Sequence, residues 1–437
     1  MPFARFGLAV LLLVGFSTGS DAGDAWFDGH EAELIGLYKH FHAHPELSYK
    51  EVATAARIAE ELSKAGAEVT EQVGKTGVVG VLKNGKGPTV LVRTDLDALP
   101  VVEQTGLPYA SKTNTADDDG NTVGVMHACG HDIHMTSFVG TARWLADHKD
   151  RWAGTVLFVG QPAEEKIGGA KQMLADGLYR RFPRPDHALA LHVAHDLEVG
   201  KIGTISGPAM ASSTAVEVVV KGKGGHGAMP HNTVDPIALA ALLVLDLQTI
   251  VSREVSPIQP AVVTVGSIHG GTKGNIIPDE VKLQLTLRAF RPEVAEQLVE
   301  GIRRRAKGLA EAHRAPEPVV TILENTPPTV NTPSLVARVV PTIERALGPD
   351  KLVAVEPTMG AEDFGLFGEG GVPTFMFRLG TISPSRLEAA RAKGETMPSL
   401  HSALYYPDPA PSIQAGVKAM TAAVVGLLPA PAAGVPR

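Results

Sequence analysis

A single cysteine, Cys129, occurs in the 437 residues of this chain, so no disulfide can form within it. The fold must rest on packing, hydrogen bonds or a bound ion. Aromatic residues are scarce at 5%, and no dense basic run or aromatic-interleaved basic patch occurs. With a formal net charge of −7, this removes the usual footprint of a nucleic-acid partner. The apolar stretch at 7–16 is too short to span a bilayer. It follows Arg5 and precedes Ser20-Asp21-Ala22, so residues 1–22 read as an export signal. An uncleaved N-terminal anchor is the competing reading. The expectation is an exported protein, periplasmic or secreted, beginning near Gly23 and with no stable membrane insertion after signal removal.

Hydrophobic content of 44% and charged content of 20% describe an ordinary globular protein, too long for one compact core. Helices are predicted at 30–47 and 51–65, then a hairpin at 67–73 and 77–83. Three short apolar strands follow at 89–93, 155–160 and 187–191, alternating with helices at 134–148 and 168–176. This alternation predicts an α/β catalytic domain with a mostly parallel sheet flanked by helices. Each of the three strands runs into acids or a histidine: Asp95 and Asp97, Glu164 and Glu165, His192. The carboxyl edge of an open α/β sheet is where sites are built.

From residue 213 the pattern changes to an alternating strand, a glycine-rich loop with His226 and His231, a helix at 235–251, strands at 261–268 and 280–290, and a helix at 293–312. This reads as an inserted α+β lid or dimerisation domain. The boundaries expected are 1–22 signal, 23–209 catalytic domain, 210–325 insertion, 326–426 catalytic domain resumed, and 427–437 a Pro/Ala-rich disordered tail. Residues 326–333 read as a linker.

The chemistry concentrates around Cys129, in Met126-His-Ala-Cys-Gly-His-Asp-Ile-His134. A lone cysteine is usually a small buried hydrophobe. With His131 two residues away and further donors downstream, a metal site is favoured, because thiolate and imidazole suit the same borderline ions. Adjacent acids such as Glu164-Glu165 are common on solvated surfaces. At the end of an apolar strand they can divide the work, one coordinating and the other taking a proton from bound water. His192 and His401 read equally as ligands or as hydrogen-bonded loop and sheet-edge histidines. Asp97 and Asp132 suit the role of orienting a ligand histidine. His127, His134, His195 and His269 read as local packing or supporting groups.

The chain resembles the two-metal amidohydrolase family of aminoacylases, glutamate carboxypeptidases and peptide deacylases, in the branch with hippurate hydrolase and the indole-acetyl-amino-acid hydrolases. The matching segments are Arg93-Thr-Asp-Leu-Asp-Ala-Leu-Pro100, Met126-His-Ala-Cys-Gly-His-Asp132, Gln161-Pro-Ala-Glu-Glu165, Leu191-His192, Gly224-Gly-His-Gly-Ala-Met-Pro-His231, Gly274-Asn-Ile-Ile-Pro278, Met359-Gly-Ala-Glu-Asp-Phe364 and Leu400-His-Ser402. They fall in the family's order along nearly all of the mature chain. The resemblance implies two divalent metal ions per subunit (Mn, Zn, Co or Ni) held by Cys129, His131, Glu165, His192 and His401. It implies Glu164 as general base toward a metal-bound water, and His226 as stabiliser of the oxyanion. Asn275 and Arg288 match positions that bind the substrate's carboxylate or carbonyl. Asp95 stands where other branches place a histidine ligand. The implied reaction is hydrolysis of a small N-acyl amino acid, with a homodimer through the inserted domain. The alternatives are an exported dipeptidase or carboxypeptidase of the same family, or a non-catalytic metal- or peptide-binding protein.

Overall fold

The computed structural model describes residues 20–428 and 430. The expected export signal lies outside these residues except for its end. Helix α1 (Ser20–Ala43) begins there, so Ala22, where cleavage is expected, sits in its first turn. Helix α2 (Val52–Lys64) leads to strands β1 (Glu68–Val73), β2 (Gly77–Asn84) and β3 (Thr89–Asp95). Helix α3 (His131–Asp147) precedes β4 (Gly154–Gln161), β5 (His187–Glu198) and β6 (Ile202–Thr204). The chain then makes an excursion through β7 (Ser213–Lys221), α4 (Pro236–Thr249), β8 (Ala261–His269), β9 (Glu280–Ala289), α5 (Pro292–Ala312) and β10 (Val319–Thr326). It returns with α6 (Pro333–Leu347), β11 (Leu352–Ala354), β12 (Thr374–Ile382) and α7 (Pro409–Leu427).

The larger sheet has eight strands in the order β1-β2-β4-β3-β5-β12-β6-β11. Its centre, β4-β3-β5-β12, is parallel throughout. These strands are nearly continuous apolar runs because helices cover the sheet and leave no solvent face. α1, α2, α3 and α7 supply one side of the core, with Leu34, Ile58, Phe138 and Met420 packed against Val92, Phe158 and Phe377. The expected α/β architecture is present.

The second sheet, β8-β9-β7-β10, is antiparallel. Its β7 alternates buried and half-buried residues along its whole length, the mark of a sheet covered on one face. α4 and α5 cover that face through Leu239, Leu243, Leu298 and Ile302. Asp235 caps α4 by accepting from the Ile237 and Ala238 amides, and Pro236 occupies the first helical position. The outer surface of α4 stays open, with Ile237, Leu242 and Leu245 exposed.

Some elements differ from the sequence reading. β5 runs on to Glu198, so His192 lies inside a strand rather than past its end. Parallel pairing with β12 along that length sustains it after the apolar run stops. The expected linker at 326–333 contains a strand, Thr329–Asn331, paired with Gly207–Met210. Chain leaving the large sheet thus runs beside chain returning to it. Asn331 fastens the return by donating to the Ile205 and Met376 carbonyls. Leu427 and Leu428, at the start of the expected tail, are fully buried in the core; 429 and 431–437 lie outside the described residues.

Candidate metal centre and active-site cavity

Four chain segments meet at the carboxyl edge of the large sheet. The first is the turn into α3. Gly130 adopts φ 75°, and a Cβ there would lie 2.8 Å from Val193 Cγ2, so the turn needs glycine. That turn starts α3 at His131, three residues before the sequence suggests. Cys129 and His131 then lie side by side, both buried. The second segment is the turn after β4, holding Glu164 and Glu165 between two non-glycine residues with positive φ, Ala163 (49°) and Ile167 (51°). Such conformations are costly, and a strongly determined site sustains them. The third is β5, which brings His192. His401 arrives from the C-terminal loop, also with positive φ (68°), and its amide donates to the Ala128 carbonyl at 2.9 Å.

Cys129 Sγ is 3.6 Å from His192 Nε2. His131 Nε2 is 3.9 Å from Glu164 Oε2 and 3.8 Å from Glu165 Oε1. His401 Nε2 is 3.5 Å from the same Glu165 oxygen. Donor atoms of Cys129, His131 and His192, of Cys129, Glu165 and His401, and of His131, Glu164 and Glu165 each fall within 4.8 Å of one another. The structure therefore gathers all five sequence-derived ligand candidates around Glu164.

His134 and Asp95 also lie near His131, but their hydrogen bonds are spent. His134 Nδ1 is 2.7 Å from Asp95 Oδ1, and His134 Nε2 accepts the Val193 amide at 2.9 Å. Asp95 Oδ2 accepts from Arg93 Nη1 at 2.8 Å. Arg93 is the hub beneath the site and also donates to Gln161 and Glu362. Glu362 and Asp363 come near Glu164 from below. Sequence reasoning gave these groups no role. The signal that could have found Arg93 is a charge inside an otherwise apolar strand.

Asp97 does more than orient a histidine. Its backbone carbonyl lies 2.8 Å from His131 Nδ1. Its carboxylate accepts the amides of Glu164 (3.2 Å) and Glu165 (3.0 Å) and the Ser48 hydroxyl (2.6 Å). Asp132 points elsewhere, with Oδ2 2.7 Å from His42 Nδ1. It orients no ligand histidine. His127 is buried without a hydrogen-bond partner on either ring nitrogen, and burial pushes its pKa down to about 4.

Burial drives the site's acids toward their protonated forms. It raises Glu164 well above the usual carboxyl range, reinforced by Glu362, Glu165 and Asp363. It raises Glu165 to about 7 against the pull of His131, and pushes the Cys129 thiol up. Burial alone would lower His131, but Asp95, Asp97 and Glu165 outweigh it and raise this imidazole to about 10.

The donors open onto a cavity of about 800 Å³ lined by Cys129, Glu164, Glu165, His192, His401, Arg288 and Arg378, among others. Arg288 reaches it from β9 of the smaller sheet. His226 and Asn275 do not line it. They are exposed and adjacent on a ribbon, Gly225–His226 paired with Ile276–Ile277, where the Gly227 amide donates to the Asn275 carbonyl. Within one chain, the expected reach of His226 into the site is not seen: its ring is exposed on the ribbon and is not part of the cavity lining.

Residues 91–403 match the profile of Peptidase family M20/M25/M40. The chain is 38% identical over 356 residues to an N-acetylcysteine deacetylase of Bacillus subtilis, covering 80% of this chain and 88% of that protein. It is 38% identical over 343 residues to a hippurate hydrolase of Campylobacter jejuni, covering 78% and 86%. A solved Bacillus subtilis structure described as a dinuclear metal binding peptidase of the M20 family superposes with a TM-score of 0.73 at 32% identity, covering 91% of this chain and 99% of that one. The converging donors, the adjacent carboxylates and these likenesses agree: the chain belongs to peptidase family M20/M25/M40, metal-dependent hydrolases of amide and peptide bonds.

Proposed function

We propose that this protein removes the acyl group from N-acyl amino acids, hippurate-like conjugates or their relatives, by hydrolysing the amide bond. One observation carries the reading: Glu164 and Glu165 share one strained turn, both within reach of His131, and Glu165 alone is also approached by His401. Cys129, His131, Glu165, His192 and His401 are the residues proposed to hold two divalent ions. The donor set fits such ions. His131 Nε2 and Glu165 Oε1 are buried with no hydrogen-bond partner, and thiolate, imidazole and carboxylate together accept manganese, zinc, cobalt or nickel.

When bound, the ions supply Lewis acidity at the carbonyl oxygen and lower the pKa of a water. Glu164 takes the proton of the attacking water and returns it to the departing amine. Burial favours its protonated form, which suits return of the proton to the amine, and the charge of bound ions would favour the carboxylate that takes a proton first. Arg288, whose Nη1 is buried and unpartnered, offers a fork for the substrate's carboxylate. His226 and Asn275 are proposed to act on the carbonyl oxygen after closure of the smaller domain, or from a second copy of the chain. Support for a homodimer is the open apolar face of α4 beside the free edge strand β8. The names of two relatives, a deacetylase and a hippurate hydrolase, support an acyl amino acid as substrate. The name of the solved neighbour, a peptidase, keeps dipeptide or carboxypeptidase cleavage as the second reading. A purely binding role leaves no task for Glu164. Export rests on the pattern of Arg5 and 7–16; amino-terminal sequencing of protein from the culture medium or periplasm tests it, and an intact Met1 there refutes cleavage.

The experiment is release of free amino acid from a panel of N-acyl amino acids and dipeptides by metal-loaded protein. Glu164→Gln should lose roughly 10²–10⁴-fold in kcat, the usual worth of a general base, with metal content retained. A variant that stays fully active refutes the assignment. Release only from dipeptides selects the second reading.

A further inference from the structure

Three arginines approach this site and are neutralised very unequally. Arg93, beneath it, meets Asp95, Glu362 and Asp363. Arg288 and Arg378 line the cavity, and neither makes an ion pair among the described residues.

Arg378 is placed by strand register. β12 runs parallel to β5 and sets Arg378 opposite His192, with Nη1 3.4 Å from His192 Nδ1. That contact is no hydrogen bond if His192 binds an ion. His192 Nε2 is the nitrogen facing Cys129, so the ring proton must sit on Nδ1, which lies 2.8 Å from the Val193 carbonyl. An N–H then faces an N–H, and Arg378 Nη1 has no acceptor. Nη2 donates to the Thr358 hydroxyl at 3.3 Å, a long bond to a neutral partner. The other acids lining the cavity are Glu164 and Glu165 in the donor cluster, and Glu356 and Asp196, both exposed; none pairs with Arg378. A guanidinium keeps its charge at any working pH, and Arg378, half-buried at the cavity wall, feels the charges of Glu362 and Asp196 but forms an ion pair with neither. A substrate α-carboxylate paired with Arg288 would leave Arg378 without a carboxylate of its own.

We propose that Arg378 is a specificity-determining residue that recognises a second carboxylate, so that the preferred substrates are dianionic N-acyl amino acids. This rests on the amidohydrolase reading of the same site. Arg378 Nη1 lies 3.4 Å from the His192 ring, so a carboxylate held by Arg378 sits only a few bonds from a carbonyl at the donor cluster. That is the span of a short diacid. The second carboxylate belongs either to the leaving amino acid's side chain or to the far end of the acyl group, and a planar guanidinium fork recognises both alike.

The test uses the metal-loaded full chain and two isosteric pairs: N-acetyl-L-glutamate against N-acetyl-L-glutamine, and N-glutaryl-L-leucine against its terminal amide. Wild type should favour the acid over the amide in one pair by about tenfold to a hundredfold in kcat/KM, expressed in KM, as for a charge-assisted hydrogen bond. The favoured pair identifies which end carries the charge. Arg378→Met should bring that ratio to near one, and Arg378→Lys should restore part of it. Calorimetric binding of the same four compounds to Glu164→Gln should show the same preference. An intact binding preference without turnover by wild type therefore refutes the hydrolase reading alone. A ratio near one for both pairs in both assays overturns the proposal, as does a wild-type ratio in Arg378→Met. Equal loss on all four compounds also overturns it, since Arg378 would then serve the shared α-carboxylate.

Discussion

Asp97 accepts the amide of Glu164 with one carboxylate oxygen and the amide of Glu165 with the other, and takes the Ser48 hydroxyl as well. One residue thus fixes the backbone under both glutamates while its own carbonyl holds His131. Asparagine at this position keeps one acceptor and points an NH₂ group at an N–H. Asp97→Asn should therefore lower metal affinity or kcat by roughly 10–100-fold, the usual effect of losing a group that positions ligands, with little change in circular dichroism. Wild-type metal affinity and turnover together would remove Asp97 from this role. The sequence marks Asp97 as an acid suited to orient a ligand histidine, but not as the support of both glutamates. Its partners Glu164 and Glu165 lie 67 and 68 positions away, and only the parallel pairing of β3 with β4 brings them alongside.

Elements were legible where an amphipathic or apolar pattern is local. α2, β3, β4, β7 and α5 stand close to their expected positions because each carries its own periodicity. The misreadings came from partners remote in sequence. β5 outlasts its apolar run because β12 continues beside it, and the supposed linker is a strand because Gly207–Met210 pairs with it. Among the elements left partly open is α4. Leu245 is 69% exposed on it and Ile268 is 53% exposed on the neighbouring edge strand β8. An apolar helix face beside an unpaired strand edge suits a second copy of the same surface. If two copies pair through this surface, as proposed, Leu245→Glu should shift the protein from dimer to monomer in sedimentation velocity. A wild-type chain that sediments as a monomer at every concentration tested would remove the dimer and leave domain closure as the only route for His226.

Across the whole molecule, several buried groups hold protons that the unfolded chain would release. Burial raises Glu51 to about 7 with help from Asp97, Asp363 to about 8 with help from Glu362, and Glu165 to about 7. Burial opposes the charge on His42, yet hydrogen bonds to Asp132 and Glu103 raise it to about 9. All four folded values exceed the unfolded ones, about 4 for a carboxyl and 6.5 for histidine. Through these four groups the native state binds more protons than the unfolded state, and stability falls as pH rises through each interval; the buried histidines that burial shifts down, His127 to about 4 with His134 and His192, act oppositely below about pH 6.5. The acids Asp95 and Asp132 are shifted down; their contribution is lost only in strong acid, so they stay neutral in this comparison. Bound ions would take the place of the proton on Glu165. The chelated protein should lose Tm between about pH 6.5 and 8.5, where only the raised groups still titrate among those named, and metal-loaded protein should lose less. A flat or rising Tm for the chelated protein contradicts this account.

The sequence by itself determined the chemistry available. It set a lone thiol beside His131, paired carboxylates after an apolar strand, and an alternation of strands and helices that requires a sheet with a functional carboxyl edge. These are local patterns, written within a few residues. Tertiary structure decided which groups face each other. Arg93 finds Glu362 from 269 positions away, while Arg378, 186 positions from His192, forms no ion pair among the described residues. It also left His226 and Asn275 outside the cavity. Strand order and register set such pairings, and both are fixed by packing between segments that carry no record of one another in the chain.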